Sequence, residues 1–296
     1  MTKLRKRKKK WIVFIFTIIG ITVIYACVSL WMSTNYIVVR EYEVETGKCK
    51  NPVRAAVISD LHDREFGEGN AELIEKIIEV KPDIVIMDGD MLNSASEDAA
   101  VPLKLIEELT QKLDREIPIY YAWGNHEMEY MDKGHPDLKQ ELEEAGATVL
   151  DKTYEDIEIN DIPIRLGGLY DYAFGLDGND AALEAPQETL AFLKEYQDTD
   201  RLKIMLSHRP DSFIFGDASE VWGVDLVISG HLHGGQFVIP FLGGLYGGDQ
   251  GWFPEYVHGI YEKGNLRLFV TSGLGSHKQK LPRFNNPPEL AVLTIR

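Results

Sequence analysis

The 296-residue sequence predicts an α/β or α+β domain on a large mixed sheet system, preceded by one apolar helix. Three observations carry this reading. Five short apolar runs, mostly rich in Ile and Val, at residues 55–59, 83–87, 117–121, 203–206 and 224–228, read as buried strands ending near Gly, Asp or Ser. From residue 53 onward such runs alternate with amphipathic helices for about half of the chain, and mostly strands follow. Residues 11–39 contain no charged side chain.

Residues 1–10 hold seven basic side chains, from Lys3 to Lys10, and no acid. The most apolar stretch, residues 11–32, spans about 33 Å as a helix, enough for a hydrocarbon core of about 30 Å. Trp11 and Trp31 stand at its two ends, where amphipathic aromatics favour the interface. The expectation is a single-pass transmembrane helix in the cell membrane, with a cytoplasmic basic head at residues 1–10 and an extracytoplasmic body. A lipoprotein signal is the competing reading, because Ile24-Tyr25-Ala26-Cys27 partly resembles a lipobox. Tyr25 departs from that pattern and the chain stays apolar beyond Cys27. A cleaved signal peptide is disfavoured by the length of the segment and its lack of a clean Ala-x-Ala.

Residues 33–52 read as a linker closed by Asn51-Pro52, and residues 53–296 as one domain. Asn70 is expected to cap a helix running to Val80 through Leu73, Ile74, Ile77 and Ile78, with Pro82 closing it. A second helix is expected over residues 99–113, buried through Leu103, Ile106, Leu109 and Leu113, and a third over 136–145, ended by Gly146. Residues 153–168 read as a hairpin turning at Asn160-Asp161, and Pro186 opens a helix to about Tyr196. The last third alternates strands with glycine-rich loops.

The net charge of −16 hides the basic head: outside it, 24 basic side chains face 47 acidic ones. Such a body repels phosphate backbones, so no nucleic-acid partner is expected. Bound cations could still attract one phosphate group locally. Cys27 and Cys49 are the only cysteines and lie in no zinc-type spacing, which excludes a disulfide framework as the main source of stability.

The apolar runs are followed by Asp60-Leu61-His62, Gly89-Asp90, Gly124-Asn125-His126-Glu127, Ser207-His208 and Gly230-His231-Leu232-His233. Ligand-type residues at strand ends point to a site at the carboxyl edge of a sheet. Each block alone is weak: Gly-Asp reads as a turn, and a lone histidine is more often a surface or core residue. Together, imidazole, carboxylate and carbonyl donors suit manganese, iron or zinc, and the absence of thiolate argues against a structural zinc site. Two cations suit the set better than one.

In this order the five blocks resemble those of the calcineurin-like metallophosphoesterase family, over about residues 53–295, and the Gly234-Gly235-Gln236 tail resembles a bacterial, membrane-tethered phosphodiesterase branch. The resemblance implies a four-layer α/β/β/α sandwich of two mixed sheets. It implies one metal on Asp60, His62 and His233, a second on Asn125, His208 and His231, and Asp90 bridging both. It further implies a metal-bridging hydroxide as nucleophile on a phosphodiester or phosphomonoester, with His126 stabilising the transition state or protonating the leaving oxygen. Glu127 stands where many relatives have Asp, and is expected to act through hydrogen bonds rather than ligation.

Arg64, Arg209, His258 and His277 are candidates for substrate binding. Trp252 and Phe253, in a glycine-rich loop, read equally as an apolar wall or as surface packing. An extracytoplasmic site brings lipid head groups, wall polymers and scavenged esters within reach as substrates. The alternative reading is a non-catalytic binding scaffold on the same fold, for which loss of ligands or of His126 would be the signature.

Overall fold

Most of the uncharged run, through Asn35, lies within one long helix, α1 (Thr2–Asn35). In this computed structural model, which describes residues 2–114, 117–170, 181–276 and 281–296, it is the one helix among the described residues long and apolar enough to cross a bilayer. No protein covers it over most of its length: Phe14, Phe16, Ile21 and Ile24 are all exposed. Only its last turns touch the body, where Ser29 and Ser33 are buried.

Strand β1 (Val38–Val44) follows directly, inside the stretch the sequence assigns to a linker. It pairs in parallel with the C-terminal strand, so sheet structure begins before residue 53. The reason for the discrepancy is physical. Val38 to Val44 carries three charged side chains in seven residues, and Arg40 and Tyr42 gain an inward partner, Glu289, only when the far end of the chain lies alongside.

The next elements are β2 (Val53–Ile58), α2 (Ala71–Glu79), β3 (Ile84–Asp88), α3 (Ala100–Lys112), β4 (Ile119–Ala122), α4 (Asn125–Asp132), α5 (Leu138–Ala145) and β5 (Thr148–Leu150). A hairpin of β6 (Thr153–Ile159) and β7 (Ile162–Gly168) turns at Asn160-Asp161, both at positive φ, and α6 (Gln187–Tyr196) leads to β8 (Leu202–Leu206). Short helices α7 (Asp211–Ile214) and α8 (Ala218–Val221) precede β9 (Leu226–Ser229). Then come a small hairpin, β10 (Val238–Ile239) with β11 (Gly243–Gly244), and finally β12 (Gly259–Lys263), β13 (Leu266–Val270) and β14 (Glu289–Ile295).

Two expectations shift by a residue or a role. Asn70 precedes α2 but caps nothing with its side chain; Asn70 Oδ1 accepts a hydrogen bond from the Phe66 amide at 3.0 Å. Helix α3 buries Pro102, Leu105, Ile106 and Leu109, with Leu105 rather than Leu103 facing the sheet.

Two six-stranded mixed sheets result, ordered β1-β14-β2-β3-β4-β5 and β12-β13-β9-β8-β7-β6. Alternation along each strand then divides the apolar side chains among three cores. Val57, Ile86, Ile164, Ile204, Ile228, Phe269 and Leu293 interlock between the sheets. The opposite side chains of the first sheet, including Ile58 and Met87, pack under α2, α3 and α5 with Leu73, Leu109 and Leu142. Met205, Val227 and Leu268 of the second sheet pack under α6, α7 and α8 with Leu193, Phe213 and Ala218. The order is helix, sheet, sheet, helix, a four-layer sandwich.

Phe269 is fully buried between the sheets. Phe269→Ala is expected to cost about 3–5 kcal/mol through lost transfer energy and an unfilled cavity. The check is the urea midpoint of the detergent-solubilised protein at unchanged slope; a loss below about 1 kcal/mol would contradict close packing there.

Candidate metal centre

Both sheets send the carboxyl ends of their parallel strands to one rim, and all five motif blocks sit there. Asp60 and His62 follow β2, Asp90 follows β3, Asn125 opens α4 after β4, His208 follows β8, and His231 and His233 follow β9. Three groups have donor atoms mutually within 4.8 Å: Asp60, His62 and His233; Asp90, His208 and His231; and His62, Asp90 and His126. Asp90 Oδ2 stands 3.2 Å from His208 Nε2 and 4.0 Å from the Nε2 atoms of both His62 and His126. It therefore lies between donors of both expected ligand sets.

The turns that make this convergence are strained. Asp60, His62, Asp90, His231 and His233 all have left-handed backbone, with φ of 54°, 53°, 53°, 69° and 46°. Non-glycine residues rarely adopt that region and hold it only where the surroundings over-determine it. Gly124 shows how tightly the loops meet: a Cβ there would overlap Asp90 Oδ1 and lie 2.5 Å from the Asp90 amide.

Glu127 is the principal tie. Its Oε2 accepts the amides of Asp90 at 2.8 Å and Gly124 at 2.9 Å. Its Oε1 accepts the Met91 amide and the Tyr121 hydroxyl, both at 2.8 Å. The carboxylate thus fixes the Asp90 and Asn125 turns together.

Three histidines are oriented by a hydrogen bond at Nδ1. His62 Nδ1 pairs with Asn93 Oδ1 at 3.2 Å, His208 Nδ1 with the Asp88 carbonyl at 2.6 Å, and His233 Nδ1 with the Gly275 carbonyl at 3.1 Å. With oxygen acceptors, the neutral rings of His62 and His208 carry their proton on Nδ1 and leave Nε2 for a cation, the usual arrangement of a metal-binding imidazole, while His233 Nδ1 also stands 3.8 Å from Asp60 Oδ1. His126 is set the other way: the Ser94 amide donates to its Nδ1 at 3.0 Å, so the neutral ring keeps its proton on Nε2.

Charge is concentrated here. Burial pushes the Asp60 carboxyl up, though His208 and His231 oppose the shift. Burial works the same way on Asp90, but His208, His62 and His126 outweigh it and hold that carboxyl well below the usual range. Burial lowers His208, yet Asp90 and Asp60 outweigh it and push the ring up to about 10. Burial and the neighbouring His62 pull His233 well below the usual imidazole value. The donor chemistry fits divalent cations, and Asn125 Oδ1 is buried with no hydrogen-bond partner among the described residues, as a carbonyl oxygen facing a cation would be.

Among the described substrate-binding candidates, Arg64 and His258 have other partners. Arg64 Nη2 reaches Asn35 Oδ1 at 3.4 Å and its guanidinium lies over Phe66, near the end of α1. Arg209 is half-buried next to His208 in sequence. His258 Nε2 pairs with buried Glu289 at 2.8 Å, alongside Arg40 and Tyr42; burial raises the Glu289 carboxyl, but His258 and Arg40 outweigh it and hold it at about 2. His277 lies outside the described residues. A groove of about 880 Å³ between Ile78, Pro82 and Ile159 is at the amino ends of β3 and β4 and contains no candidate ligand.

Residues that sequence reasoning passed over support the centre from behind. Asn93 orients His62, and Asp63 Oδ2 holds Asn93 at 2.8 Å. Arg283, buried, donates to the carbonyls of Ser272 at 2.9 Å and Gly275 at 2.8 Å. Asn93, a polar residue three positions beyond Asp90, was a faint signal; Arg283 gave none, because its acceptors are backbone carbonyls.

Two mixed sheets closing on a histidine–carboxylate cluster define a metal-binding centre of the hydrolase type. The chain belongs to the calcineurin-like phosphoesterase family, whose model matches residues 53–235. It is 29% identical over 285 residues to an uncharacterized metallophosphoesterase of Campylobacter jejuni, covering 94% of this chain and 68% of that one. It is 26% identical over 247 residues to the phosphodiesterase YaeI of Escherichia coli, covering 82% of each. A dimetal phosphatase from Danio rerio superposes with a TM-score of 0.44 at 12% identity, over 75% of this chain and 88% of that one.

The charge balance has a measurable consequence. With its folded value near 10, His208 is protonated at pH 8 when no cation is bound, and it must lose that proton to become a ligand. Adding manganese to metal-free protein in weak buffer at pH 8 is expected to release about one proton per chain more from the parent than from His208→Ala. Equal release from both would contradict the assignment.

Proposed function

We propose that this metallophosphoesterase hydrolyses phosphate esters, with diesters favoured over monoesters, using two divalent cations drawn from manganese, iron and zinc. The observation that carries the reading is the position of Asp90 Oδ2 between the Asp60–His62–His233 group and the His208–His231 pair. One cation would be held by Asp60, His62 and His233, the other by Asn125, His208 and His231, with Asp90 shared. Two such cations supply Lewis-acid polarisation of the phosphoryl group and activation of water for in-line attack.

The chain's own residues do the rest. His126, half-buried at the rim, keeps its proton on Nε2 because the Ser94 amide occupies Nδ1. That N–H is placed to donate a hydrogen bond to the phosphoryl or leaving oxygen as negative charge develops there, while the departing alkoxide takes its proton from water. The Asp90 carboxylate accepts the His126 amide at 2.8 Å, which locks the adjacent Asn125 and His126 so that one faces the ligand cluster and the other the substrate. A non-catalytic scaffold has no need of a donor held in this tautomer.

Helix α1 is proposed to anchor the protein in the cell membrane, its basic head cytoplasmic and its body outside. Lipid-borne and wall-derived phosphate esters are then the accessible substrates.

Protein purified without chelator is expected to contain two cations per chain by elemental analysis and to hydrolyse bis(p-nitrophenyl) phosphate. His126→Ala should lower kcat by about 10²–10⁴-fold with metal content unchanged. Asp90→Ala should lose metal as well as activity. Full activity in His126→Ala, or full metal content in Asp90→Ala, would overturn the respective role.

A further inference from the structure

Between Gln236 and Pro254 the only charged residue is Asp249, in a chain that is 26% charged. This stretch also exposes Phe241, Leu242, Trp252 and Phe253 to solvent. Phe241 and Leu242 form the tip of the β10–β11 hairpin, and Trp252 bridges back to Tyr246, with their rings 5.4 Å apart.

The root of the hairpin is fastened to α1. Phe237 stacks on Phe284 at 4.4 Å, and the Val238 amide donates to the Phe284 carbonyl at 2.9 Å. Tyr25 of α1 meets the Phe284 ring edge-on at 6.0 Å. The Tyr25 and Ser29 hydroxyls each donate to Asn285 Oδ1 at 2.7 Å, and Asn285 Nδ2 donates to the Val238 carbonyl at 3.2 Å. Tyr25 lies seven residues before Met32, about 10 Å inside the end of the apolar run. The other end of the segment reaches the candidate metal centre, where a Cβ on Gly248 would stand 3.7 Å from His231 Nε2.

We infer that residues 238–253 form a lip seated in the interface of the same bilayer that α1 crosses, with Phe241, Leu242, Trp252 and Phe253 in contact with lipid. The inference rests on the proposed anchoring by α1. Its support is continuity: the root of an uncharged, aromatic hairpin is bonded to a spanning helix at interfacial depth, where Trp and Phe side chains are favoured. Since Gly248 of the lip lies beside His231, the lip brings the mouth of the site to the head-group layer. The substrate class this favours is a phosphate ester carried by a lipid.

The test uses the full chain in vesicles of phosphatidylcholine and phosphatidylglycerol at 7:3, in a Cys27→Ser, Cys49→Ser background. Spin labels are placed singly through Phe241→Cys, Phe253→Cys, Ile21→Cys in α1 and Leu183→Cys on the body, and collision with oxygen and with a water-soluble nickel chelate is measured. The lip predicts positions 241 and 253 exposed to oxygen and shielded from nickel about tenfold relative to position 183, as at position 21. Nickel access at 241 and 253 equal to that at 183, with 21 in lipid, would overturn the lip and leave the anchor standing. Shielding from both reagents would instead mark contact with a second copy and also overturn it. Nickel access at position 21 would sink the anchor and the lip together. Hydrolysis of bis(p-nitrophenyl) phosphate in the same samples reads the phosphoesterase proposal separately, whatever the labels report.

Discussion

Four carboxyl groups, Asp60, Asp88, Asp90 and Glu127, are buried where the strand ends meet, and the centre is organised around keeping them there. Taking an ionised carboxylate out of water costs several kcal/mol unless hydrogen bonds or opposite charge replace the lost hydration. Each group is accommodated differently. Glu127 is satisfied by backbone amides and the Tyr121 hydroxyl. Asp90 faces three imidazoles, and Asp60 accepts the His231 amide at 3.1 Å. Asp88, whose oxygens find no hydrogen-bond partner among the described residues, is pushed by burial up to about 8. Cations at the rim would offset what remains, which ties the stability of the centre to the metals it binds.

The same demand explains the backbone. Donors from five strands reach a common point only if the chain turns sharply after each strand, and five of the expected ligands sit in the left-handed region as a result. Such strain persists because the loops are tied to one another. The Asp60 amide donates to the Gly89 carbonyl at 3.0 Å, the Gly275 amide to the Asp60 carbonyl at 2.6 Å, and His208 links the second sheet to the Asp88 carbonyl of the first. The ties extend to α1: the Asn286 amide donates to Ser33 Oγ at 3.0 Å, and Asn286 Nδ2 to the His233 carbonyl at 2.6 Å. The foot of α1 and the candidate ligand His233 therefore share one asparagine. A disturbance at the helix foot has a direct bonded path to the site.

Much of this was legible one dimension at a time. Short apolar runs marked the strands, spacings of three to four marked α2 and α3, Pro186 marked the start of α6, and the motif blocks fell at strand ends because a site at a sheet rim must be built from loops. What escaped shares a cause. Strand β1 was hidden because Arg40 and Tyr42 look solvated until Glu289 lies opposite. His258 looked like a pocket residue and is committed to the same glutamate. Asn93 and Arg283 act on partners that no local pattern announces.

The sequence by itself determined most of the layer-forming elements, the apolar helix and the identity of the donor atoms, because sequence pattern and residue chemistry are local properties. Tertiary structure decided which donors converge, which nitrogen of each histidine faces the centre, and that the helix foot and the 238–253 loop belong to one surface. Those depend on contacts between residues up to some 260 positions apart, as from Tyr25 to Asn285, and on the burial that gives such contacts their energy.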